Sequence, residues 1–213
     1  MRVRINKAHF PVTVLGYGRR IGVWFQGCPI RCNGCVSQDT WEDDPEKEMP
    51  LSMLLQWCFE VSGGNLDGIT ITGGEPFHQP EALEAFLKGV RTWEETLASR
   101  LDILCYSGFE LDHLEHHFPH LLDLVDTVVA GPFIDDLSGT HVLYGSNNQR
   151  LRIITELGCQ RYGIEKGHPR RFQVSSDQHG LWFVGIPKGG DMARVVRKCK
   201  ENGLEMQETS WEK

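Results

Sequence analysis

Cys28, Cys32 and Cys35 stand in the segment Gly27-Cys28-Pro29-Ile30-Arg31-Cys32-Asn33-Gly34-Cys35, with three and then two residues between them. Thiolates so spaced can wrap one face of a metal centre. A closed iron–sulfur site takes four cysteine ligands, and no fourth cysteine lies nearby in the sequence. Three thiolates therefore leave one iron without a protein ligand, and an open position is where chemistry can happen. A structural zinc site completed by a distant His or Cys uses similar spacing, so the cysteines alone leave iron and zinc both open.

A second group follows one helix and one strand later. Ile69-Thr70-Ile71-Thr72 reads as a strand that runs into the turn Gly73-Gly74-Glu75-Pro76. Two glycines let a ligand approach the backbone closely, and Glu75 offers a carboxylate to an ammonium group. An ordinary strand-to-helix turn, with Pro76 setting the chain direction, would look alike. Its position one helix and one strand after the cysteine segment makes a shared site the stronger reading.

The elements that must hold these groups alternate between strand and helix. Arg2 to Asn6, Ile21 to Phe25, Gly68 to Thr72, Leu101 to Tyr106 and Asp126 to Ala130 have strand character, and Leu151 to Thr155 extends the series. Helical spacing starts at Leu51 and stops at Gly63-Gly64; it resumes from Pro80 along Leu83, Phe86, Leu87 and Val90. A third helix, over Leu111 to Leu121, is broken by Pro119. Such alternation predicts parallel βα units, whose ligands sit at the carboxyl ends of the strands. Gly73-Gly74-Glu75 and Ser107-Gly108 both follow strands, so they should face one mouth. After about Gly163 the pattern changes: Arg171 to Ser176 and Leu181 to Pro187 suggest a hairpin. Asp191 to Asn202 suggests a helix with Asp191 as N-cap and Gly203 as its stop, and Leu204 to Gln207 a returning strand. This divides the chain into a core over 1–162 and a small ββα(β) appendix over 163–213.

The net charge of −7 over 213 residues argues against a broad nucleic-acid surface. No apolar run is long enough to span a bilayer, and the start of the chain has no signal-peptide pattern, so a cytoplasmic protein is expected. Seven cysteines, three of them clustered, suit metal chemistry better than a disulfide framework. His113, His116, His117 and His120 fall mostly off the apolar stripe of their helix and read as a solvated face. The isolated Cys58, Cys105, Cys159 and Cys199 read as small buried thiols.

Taken together, the cysteine segment and the Gly-Gly-Glu-Pro turn resemble the radical S-adenosylmethionine (SAM) superfamily. More narrowly, the chain resembles the activating proteins of anaerobic ribonucleotide reductase. Gly34-Cys35, Gln38-Asp39-Thr40-Trp41, Tyr106-Ser107-Gly108-Phe109, Asp126 to Phe133 and Gly145-Ser146-Asn147-Asn148-Gln149-Arg150 carry that likeness, in order, over roughly residues 5 to 155. The resemblance implies a partial (β/α)₆-type barrel, with a [4Fe–4S] cluster on Cys28, Cys32 and Cys35 and SAM on its fourth iron. It further implies that Gly73, Gly74 and Glu75 hold the methionyl end of SAM, with Gly34 and Val36 against the cofactor. Ser107 is the candidate for the ribose, and Asn147 and Gln149 for the nucleoside end or a partner interface. Ser107 could equally cap a turn, and Asn147 and Gln149 could equally tie down a loop.

The implied activity is reductive cleavage of SAM to a 5′-deoxyadenosyl radical that takes hydrogen from a glycine of a partner glycyl radical enzyme, with anaerobic ribonucleotide reductase as the leading target. A flavodoxin- or ferredoxin-type protein would supply the electron. Two alternatives stay open at this point. One is a radical SAM enzyme acting directly on a small molecule or peptide, as in 7-carboxy-7-deazaguanine synthases. The other is a non-catalytic zinc or iron–sulfur module.

Overall fold

The computed structural model describes residues 1–163, 172–177, 180–206 and 208–211. Seven strands form one sheet in the order β3-β1-β2-β4-β5-β6-β7. They are β1 (Arg2–Val12), β2 (Arg20–Phe25), β3 (Glu48–Pro50), β4 (Gly68–Gly73), β5 (Asp102–Ser107), β6 (Thr127–Ala130) and β7 (Arg150–Ile153). β2, β4, β5 and β6 are parallel, and antiparallel strands flank them: β1 and β3 on one side, β7 on the other. The expected α/β class holds, with a parallel centre four strands wide.

Helices α1 (Leu51–Ser62), α2 (Pro80–Glu94), α3 (Leu111–His117) and α4 (Pro119–Leu122) connect these strands. Their apolar stripes, including Leu54, Cys58, Leu83, Phe86, Leu114 and Leu121, pack on one face of the sheet against Ile21, Val23, Phe25, Ile69, Ile71, Ile103 and Val128. Side chains alternate across a strand, so the opposite face carries Trp24, Thr72 and Tyr106, and these line a cavity. Gly63 stops α1 in the left-handed conformation at φ +54°, as its place in the sequence predicts.

At the amino ends of the parallel strands, Arg20 is fully buried. It donates to Thr70 Oγ1 at 2.6 Å, to Asp102 Oδ2 at 2.6 Å and to Ile69 O at 2.6 Å, while Tyr162 Oη donates to the same Asp102 oxygen at 2.5 Å. Strands β2, β4 and β5 are thereby tied at the end away from the cysteines.

Several details differ from the sequence reading. A short helix α5 (Glu156–Tyr162) follows β7, capped by Thr155 Oγ1, which accepts from the Gly158 amide at 3.2 Å. The hairpin forms as β8 (Gln173–Asp177) and β9 (Gly180–Val184), and α6 spans Asp191–Glu201. Gly190, at φ +81°, is the N-cap of α6; Asp191 lies in its first turn, where Oδ2 accepts from the Lys188 amide at 2.9 Å. Residues 204–206 form no strand. Arg171, the expected start of the hairpin, and Gln207, the expected end of that last strand, lie outside the described residues. Cys58 and Cys105 are buried as expected, whereas Cys159 is exposed and Cys199 half-buried. No helix among the described residues is long and apolar enough to cross a membrane.

Candidate functional site

The two sequence groups meet through the backbone. β2 and β4 run in register, with Phe25 opposite Gly73, so the segments that leave them start side by side. The Gly74 amide donates to Phe25 O at 2.9 Å and the Glu75 amide to Gly27 O at 2.9 Å. A Cβ on Gly74 would fall on the Gly27 carbonyl, and one on Gly73, at φ +103°, would fall 2.5 Å from Phe25 N. The glycines are thus required by the neighbouring chain, a reason that sequence alone does not separate from ligand access. The cysteine loop closes through Gly27 N to Thr40 O at 2.8 Å and Cys28 N to Trp41 O at 2.9 Å. Gln26 braces it from below by donating to Glu42 O at 2.7 Å.

All three thiols open into one cavity of about 1120 Å³ that Gly34, Val36, Gly73, Gly74, Glu75, Ser107 and Gln149 also line. Burial raises the thiol pKa of Cys28, Cys32 and Cys35, and backbone amides aimed at the sulfurs oppose it: those of Ile30 and Arg31 at Cys28, of Phe133 at Cys32 and of Ser37 at Cys35. These donors would stabilise thiolates. Among the described residues no three His, Cys, Asp or Glu side chains converge on a single-ion site.

Glu75 is fully buried. Its Oε1 accepts from Ser107 Oγ at 2.9 Å and from the Phe77 amide at 3.0 Å, and its Oε2 accepts from the Gly108 amide at 2.7 Å. No cationic side chain pairs with it among the described residues, and burial pushes its pKa up to about 7. A buried carboxylate without a counter-charge is a receptor for a cation.

Residues 14–152 match the family model described as the 4Fe-4S single cluster domain. The chain belongs to this family. Among its relatives, the "Anaerobic ribonucleoside-triphosphate reductase-activating protein" of Escherichia coli (strain K12) is 28% identical over 145 residues, covering 66% of this chain and 93% of its own. The protein of that name from Enterobacteria phage T4 is 25% identical over 138 residues, covering 65% and 86%. "Pyruvate formate-lyase-activating enzyme" of Clostridium pasteurianum is 35% identical over 128 residues, covering 57% of this chain and 52% of its own. A solved structure titled "Crystal structure of QueE from Escherichia coli" is 19% identical, with a TM-score of 0.42 over 51% of this chain and 53% of that one. The chain is a radical SAM enzyme, and its cofactors are a [4Fe–4S] cluster and SAM.

The residues present fit both cofactors. Three thiols with amide donors suit a cluster, and the uncompensated Glu75 suits the cationic methionyl end of SAM. Ser107 and Gln149 take up the turn and loop roles that the sequence left open beside ligand binding. The Ser107 hydroxyl gives its proton to Glu75 and accepts from the Phe109 amide at 3.1 Å, so it orients Glu75 rather than standing ready to donate to a ribose. Gln149 spends its amide on the backbone, accepting from Gly145 N and Ser146 N and donating to Gly131 O at 3.0 Å. Asn147 is exposed and does not line the cavity.

Sequence reasoning missed the far wall. Lys7 ion-pairs with Asp39 at 3.3 Å and lies between the Trp24 and Trp182 rings, 5.9 and 5.7 Å from their centroids. Ser210 and Trp211 also reach the site. The Gln38 amide donates to Ser210 O at 2.7 Å, Gln38 Nε2 to Trp211 O at 2.9 Å, and Ser210 Oγ to Val36 O at 2.8 Å. Only the aromatic content of Trp182-Phe183 and Trp211 hinted at either contact.

Proposed function

We propose that this chain is an activating protein that generates a glycyl radical on a partner enzyme, with anaerobic ribonucleoside-triphosphate reductase as the target. The observation that carries this reading is the single cavity shared by three thiols and the unpaired carboxylate of Glu75, in a chain that aligns with 93% of a relative bearing that name. Bound and reduced, the cluster supplies the electron that splits SAM into methionine and a 5′-deoxyadenosyl radical.

The chain's own residues bind and orient. Cys28, Cys32 and Cys35 are the proposed cluster ligands. Glu75 takes the methionyl ammonium, held in aim by Ser107 and the Gly108 amide, while Gly73 and Gly74 keep the turn against the cysteine loop. Gly34 and Val36 lie along the cofactor. Gln149 acts from behind, by fixing the 145–149 loop, and Asn147 at the outer rim is the residue of that loop offered to a partner. Residues 1–162 form the radical SAM core and 163–213 its appendix. A flavodoxin- or ferredoxin-type protein is the proposed electron donor, and the cytoplasm, where thiols stay reduced, the proposed compartment.

The test is electron paramagnetic resonance of the reductase incubated anaerobically with this protein, SAM and a reductant. A glycyl radical doublet is expected, together with about four irons per chain. One observation favours a second reading, direct action on a small substrate: strand β9 and residues 204–206 and 208–211 wall the same cavity. No doublet, together with release of 5′-deoxyadenosine and consumption of a small molecule, would decide for it.

A further inference from the structure

Trp41 ends the short segment after the third cysteine, and its place is fixed on both sides: its amide donates to Gln38 O at 3.1 Å, and its carbonyl accepts from the Cys28 amide at 2.9 Å. The indole lines the cavity with the three thiols. Its Nε1–H is buried, yet closes no hydrogen bond among the described residues. A buried donor left unpaired costs about 1–3 kcal/mol, and such a group in a native fold calls for an explanation.

Of the three sulfurs, that of Cys35 is the one on which the Trp41 side chain acts, and with the Ser37 amide at 3.4 Å it opposes the effect of burial there. A neutral thiol is a weak acceptor. A thiolate carries charge and draws a donor into a shorter, stronger bond.

We propose that the Trp41 indole N–H donates to the Cys35 thiolate in the cluster-bound protein and raises the cluster's reduction potential, which makes Trp41 a positioning residue for electron entry. This rests on the reading of Cys35 as a cluster ligand. Reduction adds a negative charge shared with the ligand sulfurs, and hydrogen bonds to those sulfurs favour the reduced state. Cys28 and Cys32 receive backbone donors that substitution cannot remove; at Cys35 one donor is a side chain, so the effect is open to test.

Trp41→Phe keeps the ring and removes the N–H, whereas Trp41→His keeps a ring N–H. The cluster midpoint potential is measured by a redox titration followed by electron paramagnetic resonance. In Trp41→Phe with its iron content intact, the one-electron reduction constant should fall about tenfold, a shift of about 59 mV to more negative potential; Trp41→His should recover part of it. An unchanged potential in the iron-loaded Phe variant overturns the proposal. If that variant does not load iron, the wild-type protein decides. Grown with ¹⁵N-indole tryptophan, its reduced cluster should show a coupled ¹⁵N by electron–nuclear double resonance; the absence of that coupling overturns the proposal. Wild-type protein that assembles no [4Fe–4S] cluster defeats the functional reading itself, a result distinct from either of these.

Discussion

Glu75 is where residue chemistry and function meet most directly. In the folded chain its carboxyl holds a proton up to about pH 7, because burial outweighs the hydrogen bonds that favour the charge; unfolded, it releases that proton near pH 4.5. Between those values the folded state binds more protons, so stability falls as pH rises through the window, and above it the full penalty of about 3 kcal/mol applies. The cofactor-free protein should therefore lose stability from pH 4.5 to 7 in urea titrations, and Glu75→Gln should flatten that slope. A cation seated against Glu75 favours the ionised form, so SAM binding below pH 7 should release a proton and weaken about tenfold for each pH unit below 7. Calorimetry in buffers of different ionisation enthalpy reads that proton directly. Binding with no proton exchange at pH 6 would remove Glu75 from the ammonium site. The carboxylate itself was legible in the sequence. Its isolation from every described cation was not, since that depends on which side chains of β5 and β6 turn towards it.

The elements were legible wherever local pattern and tertiary packing agree. The stripe Leu83, Phe86, Leu87 and Val90 predicts α2, and all four residues are buried beneath it. The chain direction of β7 was not legible, because a four-residue strand alternating exposed with half-buried residues reads the same parallel or antiparallel. The two glycines of the β4 turn were legible as glycines, but the neighbour that requires them was not. Gly74→Ala should force the turn away from the Gly27 carbonyl, at a cost of about 1–3 kcal/mol. Because the Glu75 amide bonds that same carbonyl, the cysteine loop should loosen with the turn. We expect a lower melting temperature and reduced iron content in anaerobically reconstituted Gly74→Ala protein. A variant that is destabilised yet loads iron fully would show that the two motifs are not mechanically joined. Gly180, where a Cβ meets nothing within 4 Å, is the control site for space; its own φ of +142° still strains an alanine there, so a matched loss of stability without loss of iron is the expected contrast.

At the scale of the whole molecule, the final residues come back to the centre of the site. Ser210 and Trp211 bond Val36 and Gln38, immediately after the third cysteine, and Trp211 meets Phe183 of the hairpin edge-on at 6.4 Å. Gln173 anchors the same hairpin to the core by donating to Pro11 O at 2.6 Å and accepting from the Thr13 amide at 2.9 Å, and Val184 packs with Trp24 and Leu15. The appendix is thus held at two places, the β1 side and the cysteine loop, with the cavity between them. The alignment with the activating protein of Escherichia coli covers 66% of this chain and 93% of that relative. Deleting residues 208–213 removes the tail's grip on Gln38 and leaves the hairpin anchor at Gln173 in place. Amide exchange at Gln38 should then speed up, while β4 and β5 keep their protection. Unchanged exchange at Gln38 would mean that the tail adds nothing to the order of the loop. Faster exchange throughout the sheet would mean that it supports the whole fold. The expected pattern, confined to the segment beside Cys35, would make the end of the chain part of the wall that orders the cluster loop.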